Sequence, residues 1–97
     1  MNYLSIITKL AKENNFEVQN LGINSIGNTV VCVNNITREF IDTITEYTDI
    51  YFHRHSEFTR FIFNDGNFVI SYSVDYNAST DTLSFPSDCY LRIEYKV

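Results

Sequence analysis

Two histidines flanking an arginine, His53-Arg54-His55, are the first residues whose type and spacing could do chemistry. On an extended strand the i, i+2 spacing projects both imidazoles to one side. Such a pair can ligate zinc once a third donor is added, and Asp49, Glu57 and Asp88 are the carboxylates to consider. The same spacing also describes two histidines on a solvent-facing strand. A thiol nucleophile would need Cys32 or Cys89 beside a base in an electropositive setting. Cys32 lies inside the apolar run 30–33, and Cys89 shares the parity of Leu91, so both read as buried packing and not as a disulfide. Gly22, Gly27 and Gly66 fall at turns or a bulge, which leaves no phosphate-cradling loop, and no nucleophile-elbow pattern occurs. No catalytic residue, metal or cofactor is therefore assigned, and a non-enzymatic role is expected.

Charge points elsewhere. The 97 residues carry seven Lys plus Arg against twelve Asp plus Glu, a formal charge of −5 with a pI near 4.7. A general nucleic-acid binder needs a basic footprint to displace condensed counterions, and this chain has none. Anionic membranes are disfavoured for the same reason. A protein partner with a basic surface is the class that the charge permits. Glu39, Asp42, Glu46 and Asp49 sharpen this, because separations of three and four residues place them on one side of a helix. The row would span roughly 15 Å at about 1.5 Å of rise per residue. Carboxylates so arrayed can occupy a groove built for phosphates and speed encounter by charge complementarity. A solvated outer helix face has the same composition. Tyrosine is the second surplus: Tyr51, Tyr72, Tyr76, Tyr90 and Tyr95 cannot all be central in so small a core. Exposed tyrosines anchor interfaces well, and Tyr51, Tyr76 and Tyr90 are the candidates. A homodimer through the sheet would use the same residues.

These side chains need elements to hold them. The spacing predicts an amphipathic helix over 3–14, with Tyr3, Leu4, Ile6, Ile7, Leu10 and Ala11 on one arc and Asn14-Asn15 as its stop. A strand over 16–23 follows, with a parity switch near Asn20 that suggests a bulge. A turn at 24–28 leads to a covered strand at 29–33. Asn34-Asn35 offers N-cap chemistry for a helix from Ile36, with Phe40, Ile44, Tyr47 and by extension Tyr51 on its buried side. Residues 50–55 read as a strand.

The strongest geometric signal lies at 57–76, two aromatic-rich runs joined by Asp65-Gly66, the sequence of a type I′ hairpin turn. That turn sets Phe63 opposite Phe68 and Phe61 opposite Ile70, with Phe61, Phe63, Phe68, Ile70 and Tyr72 on one face. The other face offers Phe58, Ile62 and Val69 beside Arg60, Ser71 and Ser73, too apolar for an ordinary wet sheet. Residues 78–88, with the single proline Pro86, read as a long polar loop open to function or mobility. A last strand over 89–97 alternates Leu91, Ile93, Tyr95 and Val97 against Arg92, Glu94 and Lys96.

The expected fold is α+β in one domain: an antiparallel β-sheet of about five to six strands, two helices on one face, in the order α-β-β-α-β-β-β-β. The N-terminal stretch lacks an uninterrupted apolar core for a signal peptide, so a cytoplasmic protein is expected. In length, acidity and Tyr, Asn and Ile content the chain resembles small phage and bacterial proteins that act by binding. Anti-CRISPR and other anti-defence inhibitors share this profile, as do toxin-immunity proteins. The likeness implies a protein-binding inhibitor of a nucleic-acid-handling target.

Overall fold

The computed structural model describes residues 2–55 and 59–96. Helix α1 (Tyr3–Glu13) starts where the Asn2 side-chain oxygen accepts the Ser5 N–H at 3.1 Å. It stops in a Schellman motif. Asn15 takes a left-handed φ of 63°, its N–H reaches Lys12 O at 3.2 Å, and the Phe16 N–H reaches Ala11 O at 2.9 Å. The motif turns Phe16 inward against Phe40, with ring centroids 4.7 Å apart. α1 buries Tyr3, Ile7 and Ala11.

Strands β1 (Val18–Ile23) and β2 (Thr29–Val33) form a hairpin whose register shifts between Asn20 and Gly22, the bulge that the parity switch at Asn20 signals. The second helix, α2 (Arg38–Tyr47), starts later than the Asn pair suggests. Thr37 is the N-cap, its hydroxyl accepting the Phe40 N–H at 3.3 Å. Ile36 before the cap and Ile41 within the first turns are both buried, a hydrophobic staple that fixes the entry angle. Asn35 instead takes a φ of 55° and donates its amide to Ser87 O at 2.8 Å. Phe40, Ile41 and Ile44 form the buried side of α2.

Beyond α2 come β3 (His53–Arg54), β4 (Arg60–Asn64), β5 (Phe68–Ser73), β6 (Asp75–Asn77), β7 (Thr82–Ser84) and β8 (Leu91–Tyr95). Six strands make one antiparallel sheet in the order β1-β2-β8-β5-β4-β3, and β6 and β7 make a separate two-stranded one. The predicted strand at 50–55 shrinks to two residues, and 78–88 is not simply a loop because it contains β7. Leu83 and Phe85 from this segment pack against the core. Phe85 stacks on Tyr72 at 5.6 Å, under the Arg38 guanidinium 6.0 Å from its ring. The polar segment thus closes one end of the core.

Directly paired residues share a sheet face. Val18, Val33 and Leu91 align on the helix side, as do Val31, Ile93, Ile70 and Phe63. Ile7, Val33, Ile44, Ile70, Leu91 and Ile93 there are fully buried, and each side chain of this size contributes about 1.5–3 kcal/mol. The opposite face carries one row across all six strands: Gln19, Cys32, Arg92, Ser71, Ile62 and His53. Both helices lie on the other side.

The hairpin turn departs from the expected type. Phe61 pairs with Tyr72 and Phe63 with Ile70, so Gly66-Asn67, not Asp65-Gly66, is the two-residue loop. Gly66 alone of the pair takes a positive φ, +92°, as the first position of a type II′ turn requires. Asp65 becomes the entry residue, its carboxylate accepting the Asn67 and Phe68 N–H groups at 2.9 and 2.8 Å. Moving the loop by one residue shifts each cross-strand partner by two, which preserves parity. The predicted aromatic face survives with different pairs: Phe61 stacks on Tyr72 at 5.1 Å, their planes 5° apart. Phe58 and Glu57, expected on the open face and among possible metal donors, lie outside the described residues.

Candidate functional site

The acidic row is built on the outer side of α2. Phe40, Ile41 and Ile44 anchor the helix to the sheet. Turning about 100° per residue, this leaves Glu39, Asp42 and Glu46 within roughly 60° of one another on the opposite side. All three are exposed, and among the described residues none of their carboxylates makes an ion pair or accepts a hydrogen bond. From Glu39 to Glu46 the array rises about 10 Å.

Asp49 does not extend this row. α2 ends at Tyr47, and Thr48 is extended (φ −136°, ψ 176°), so Asp49 leaves the helical track. Its carboxylate accepts the Tyr3 hydroxyl at 2.6 Å, tying the start of α1 to the exit of α2. The hydrogen bond, assisted by burial and the carboxylate charge, pushes the Tyr3 hydroxyl up to about 12. The sequence-derived row of four is therefore a row of three plus a structural carboxylate.

The last turn of α2 also corrects Tyr47. Expected on the buried side, it is 64% exposed. Ile41 is buried and pulls the centre of the buried arc away from Tyr47, which borders the acidic side with Thr43 and Glu46. Glu46 and Tyr47 form one rim of a groove between the helices whose α1 side includes Ile6, Lys9 and Leu10.

The three candidate tyrosines are exposed but do not form one patch. Tyr51, 68% exposed, follows the exit of α2 and meets His53 edge-on at 4.9 Å. Tyr76 sits on β6 and donates its hydroxyl to Asp81 at 2.6 Å. Tyr90 precedes β8 and flanks the open sheet face beside Leu21, Cys32 and Arg92. Tyr72, by contrast, is a core hub holding Phe52, Phe61 and Phe85.

His53 and His55 are both exposed, with His53 in the open-face row. Among the described residues no three His, Cys, Asp or Glu side chains converge as a metal-ligand set, and Glu57 lies outside them. Cys32 and Cys89 are free and buried. Burial, followed by the charge of Asp88, pushes the Cys89 thiol up to about 11, and burial likewise raises Cys32. Thiols so held are poor nucleophiles near neutrality.

Sequence reasoning missed the exposed apolar tip Leu21, Ile23 and Ile26, at 53%, 72% and 74% exposure. The bulge at Leu21 and the turn beyond it break the alternation that would have assigned these residues a face. No described helix is long and apolar enough to cross a membrane. No protein family, curated protein or solved structure matches this chain.

Proposed function

We propose that this protein acts by binding, as a stoichiometric inhibitor of a protein whose basic surface handles nucleic acid. One observation carries the reading: Glu39, Asp42 and Glu46 share one arc of α2, and among the described residues none of the three carboxylates is in an ion pair. Glu39, in the first turn, is where the helix dipole favours a carboxylate, but Glu46 is not placed where helix stability would choose. The last turn of α2 holds no basic residue, and Glu46 faces the negative end of the helix dipole, a cost of about 0.3–1 kcal/mol at an exposed site. A partner that supplies lysines or arginines would offset that cost on binding. Tyr47 and Tyr51, at the same end of α2, add apolar area beside the charges, the composition of an anchor within a polar rim. An anti-defence, anti-CRISPR-like inhibitor fits this surface, and a toxin-immunity protein would use it in the same way.

Affinity capture from host cells and phage-infected cells tests the reading. The parent chain is compared with a Glu39→Lys, Asp42→Lys, Glu46→Lys variant at low and high salt. The expected result is a captured nucleic-acid-handling protein that disappears with the variant and weakens as salt rises. A variant that captures the same protein in equal yield would end the electrostatic reading.

A further inference from the structure

The open sheet face, opposite α2, holds a second site that the acidic helix does not use. Between the ends of β5 and β8 lies a depression of about 550 Å³ whose lining includes Arg60, Ser71, Arg92, Asp75, Asp88 and Tyr90. This size suits a small ligand.

Ser71 is one of the lining residues. It is only 4% exposed, yet its hydroxyl makes no hydrogen bond among the described residues. It is not sealed away from solvent either, since no fully enclosed side-chain oxygen or nitrogen lacks a partner. The hydroxyl therefore opens into the depression as an unused donor. Buried polar groups normally find partners, and this one has none among the described residues.

Two arginines line the depression with it. Arg92 on β8 pairs directly with Ser71 across the strands, and Arg60 on β4 pairs with Ser73, two residues along β5. All four side chains share the open face. Arg92 is partly engaged, one Nη holding the Glu94 carboxylate at 2.7 Å, which leaves its remaining N–H groups. Arg60 makes no ion pair among the described residues. Two guanidinium forks around a hydroxyl donor match an oxyanion, carboxylate or phosphate.

The lining also carries the opposite sign. Asp75 and Asp88 line the same depression, and both charges act on the Cys89 thiol beneath it. With these carboxylates present, a bare polyanion is attracted by the arginines and repelled by the aspartates. A ligand bearing a cationic group beside its anionic one satisfies both.

We infer that the depression binds a small zwitterion, with its carboxylate or phosphate on Arg60, Ser71 and Arg92 and its ammonium group facing Asp75 and Asp88. The inference is independent of the acidic helix, which lies on the other side of the sheet.

The test is an amide-resolved NMR titration of the intact chain with four probes: β-alanine, O-phosphoethanolamine, inorganic phosphate and ethylamine. Saturable shifts at Arg60, Ser71 and Arg92 are expected with at least one zwitterion, and comparing the two identifies the anionic group. Phosphate and ethylamine alone should bind about tenfold more weakly, a charged hydrogen-bond contribution. Arg60→Gln should weaken zwitterion binding by a similar factor, and Ser71→Ala, which keeps the packing, should weaken it less. Asp75→Asn with Asp88→Asn should abolish the preference over phosphate. Spectral dispersion reports whether each variant is folded. Absence of saturable shifts at these residues with every probe, phosphate binding as tightly as the zwitterions, or unchanged binding in folded Arg60→Gln would overturn the inference.

Discussion

The Tyr3 hydroxyl donates to the Asp49 carboxylate at 2.6 Å across forty-six residues of chain, joining the first turn of α1 to the segment leaving α2. The Tyr3 ring is clamped at the same time, edge-on to Phe63 at 5.2 Å and to Phe68 at 5.4 Å. One side chain thus links both helices to the β4–β5 hairpin. Tyr3→Phe keeps the ring contacts and removes only the donor. Asp49 is exposed and can be rehydrated, so the loss should be about 1 kcal/mol and not the larger cost of an orphaned buried charge. Chemical denaturation should show a lower midpoint with an unchanged slope.

The same bond makes stability fall at alkaline pH. Tyr3, through its bond to Asp49, and Tyr72, through burial, are both raised from 10.0 to about 12. Burial raises Cys89 from 9.0 to about 11. Each group holds its proton longer in the folded chain than in the unfolded one. Their contribution is therefore fully present below the unfolded values and is lost as pH rises through the folded ones. Unfolding midpoints should hold steady up to about pH 9 and then decline toward about pH 12. Tyr3→Phe should flatten the upper part of that decline, and a parallel decline in parent and variant would count against the assignment.

The hairpin turn gives a third expectation. Gly66 sits at φ +92°, where a side chain is strained even though a Cβ would meet no neighbour. Gly66→Ala should cost about 1 kcal/mol or more through backbone strain alone. Asp65→Ala removes the acceptor for two backbone N–H groups and should cost a comparable amount, about 1 kcal/mol. In a type I′ turn centred on Asp65-Gly66, Asp65 would itself need a positive φ, and Asp65→Asn would then be stabilising. Here it should be neutral or destabilising, as thermal melts of the three variants can show.

That turn also marks how much the chain's residues reveal before folding. Alternation of Phe61, Phe63, Ile70 and Tyr72 defines the buried face whichever two residues close the loop, because each one-residue move of the loop shifts partners by two. The choice between the two turns rests on the Asp65 carboxylate capping two N–H groups, a competition that composition does not rank. Leu83 and Phe85 were hidden for a different reason: they stand singly among polar residues, and their packing depends on Tyr72, far from them in local pattern. Asp49 looked like a fourth member of the acidic row because spacing alone cannot see Thr48 leave the helix. The meeting of Arg60, Ser71 and Arg92 required β8 to lie beside β5, a pairing of strands distant in sequence.

Glu46 separates stability from binding. It lies in the last turn of α2, where the exposed carbonyl ends favour a cation. It has no ion pair among the described residues to offset that placement. Glu46→Lys should therefore raise stability by about 0.3–1 kcal/mol, and by less at high salt. If α2 meets a basic partner, the same change removes one attraction and adds one repulsion, so association should slow and its salt dependence should shrink. Glu46→Gln, which removes the charge without reversing it, should fall between the two on both measures. Denaturation midpoints give the first quantity and association rates with the captured partner the second. A gain in stability with unchanged association would place Glu46 outside the interface and confine the acidic contact to Glu39 and Asp42.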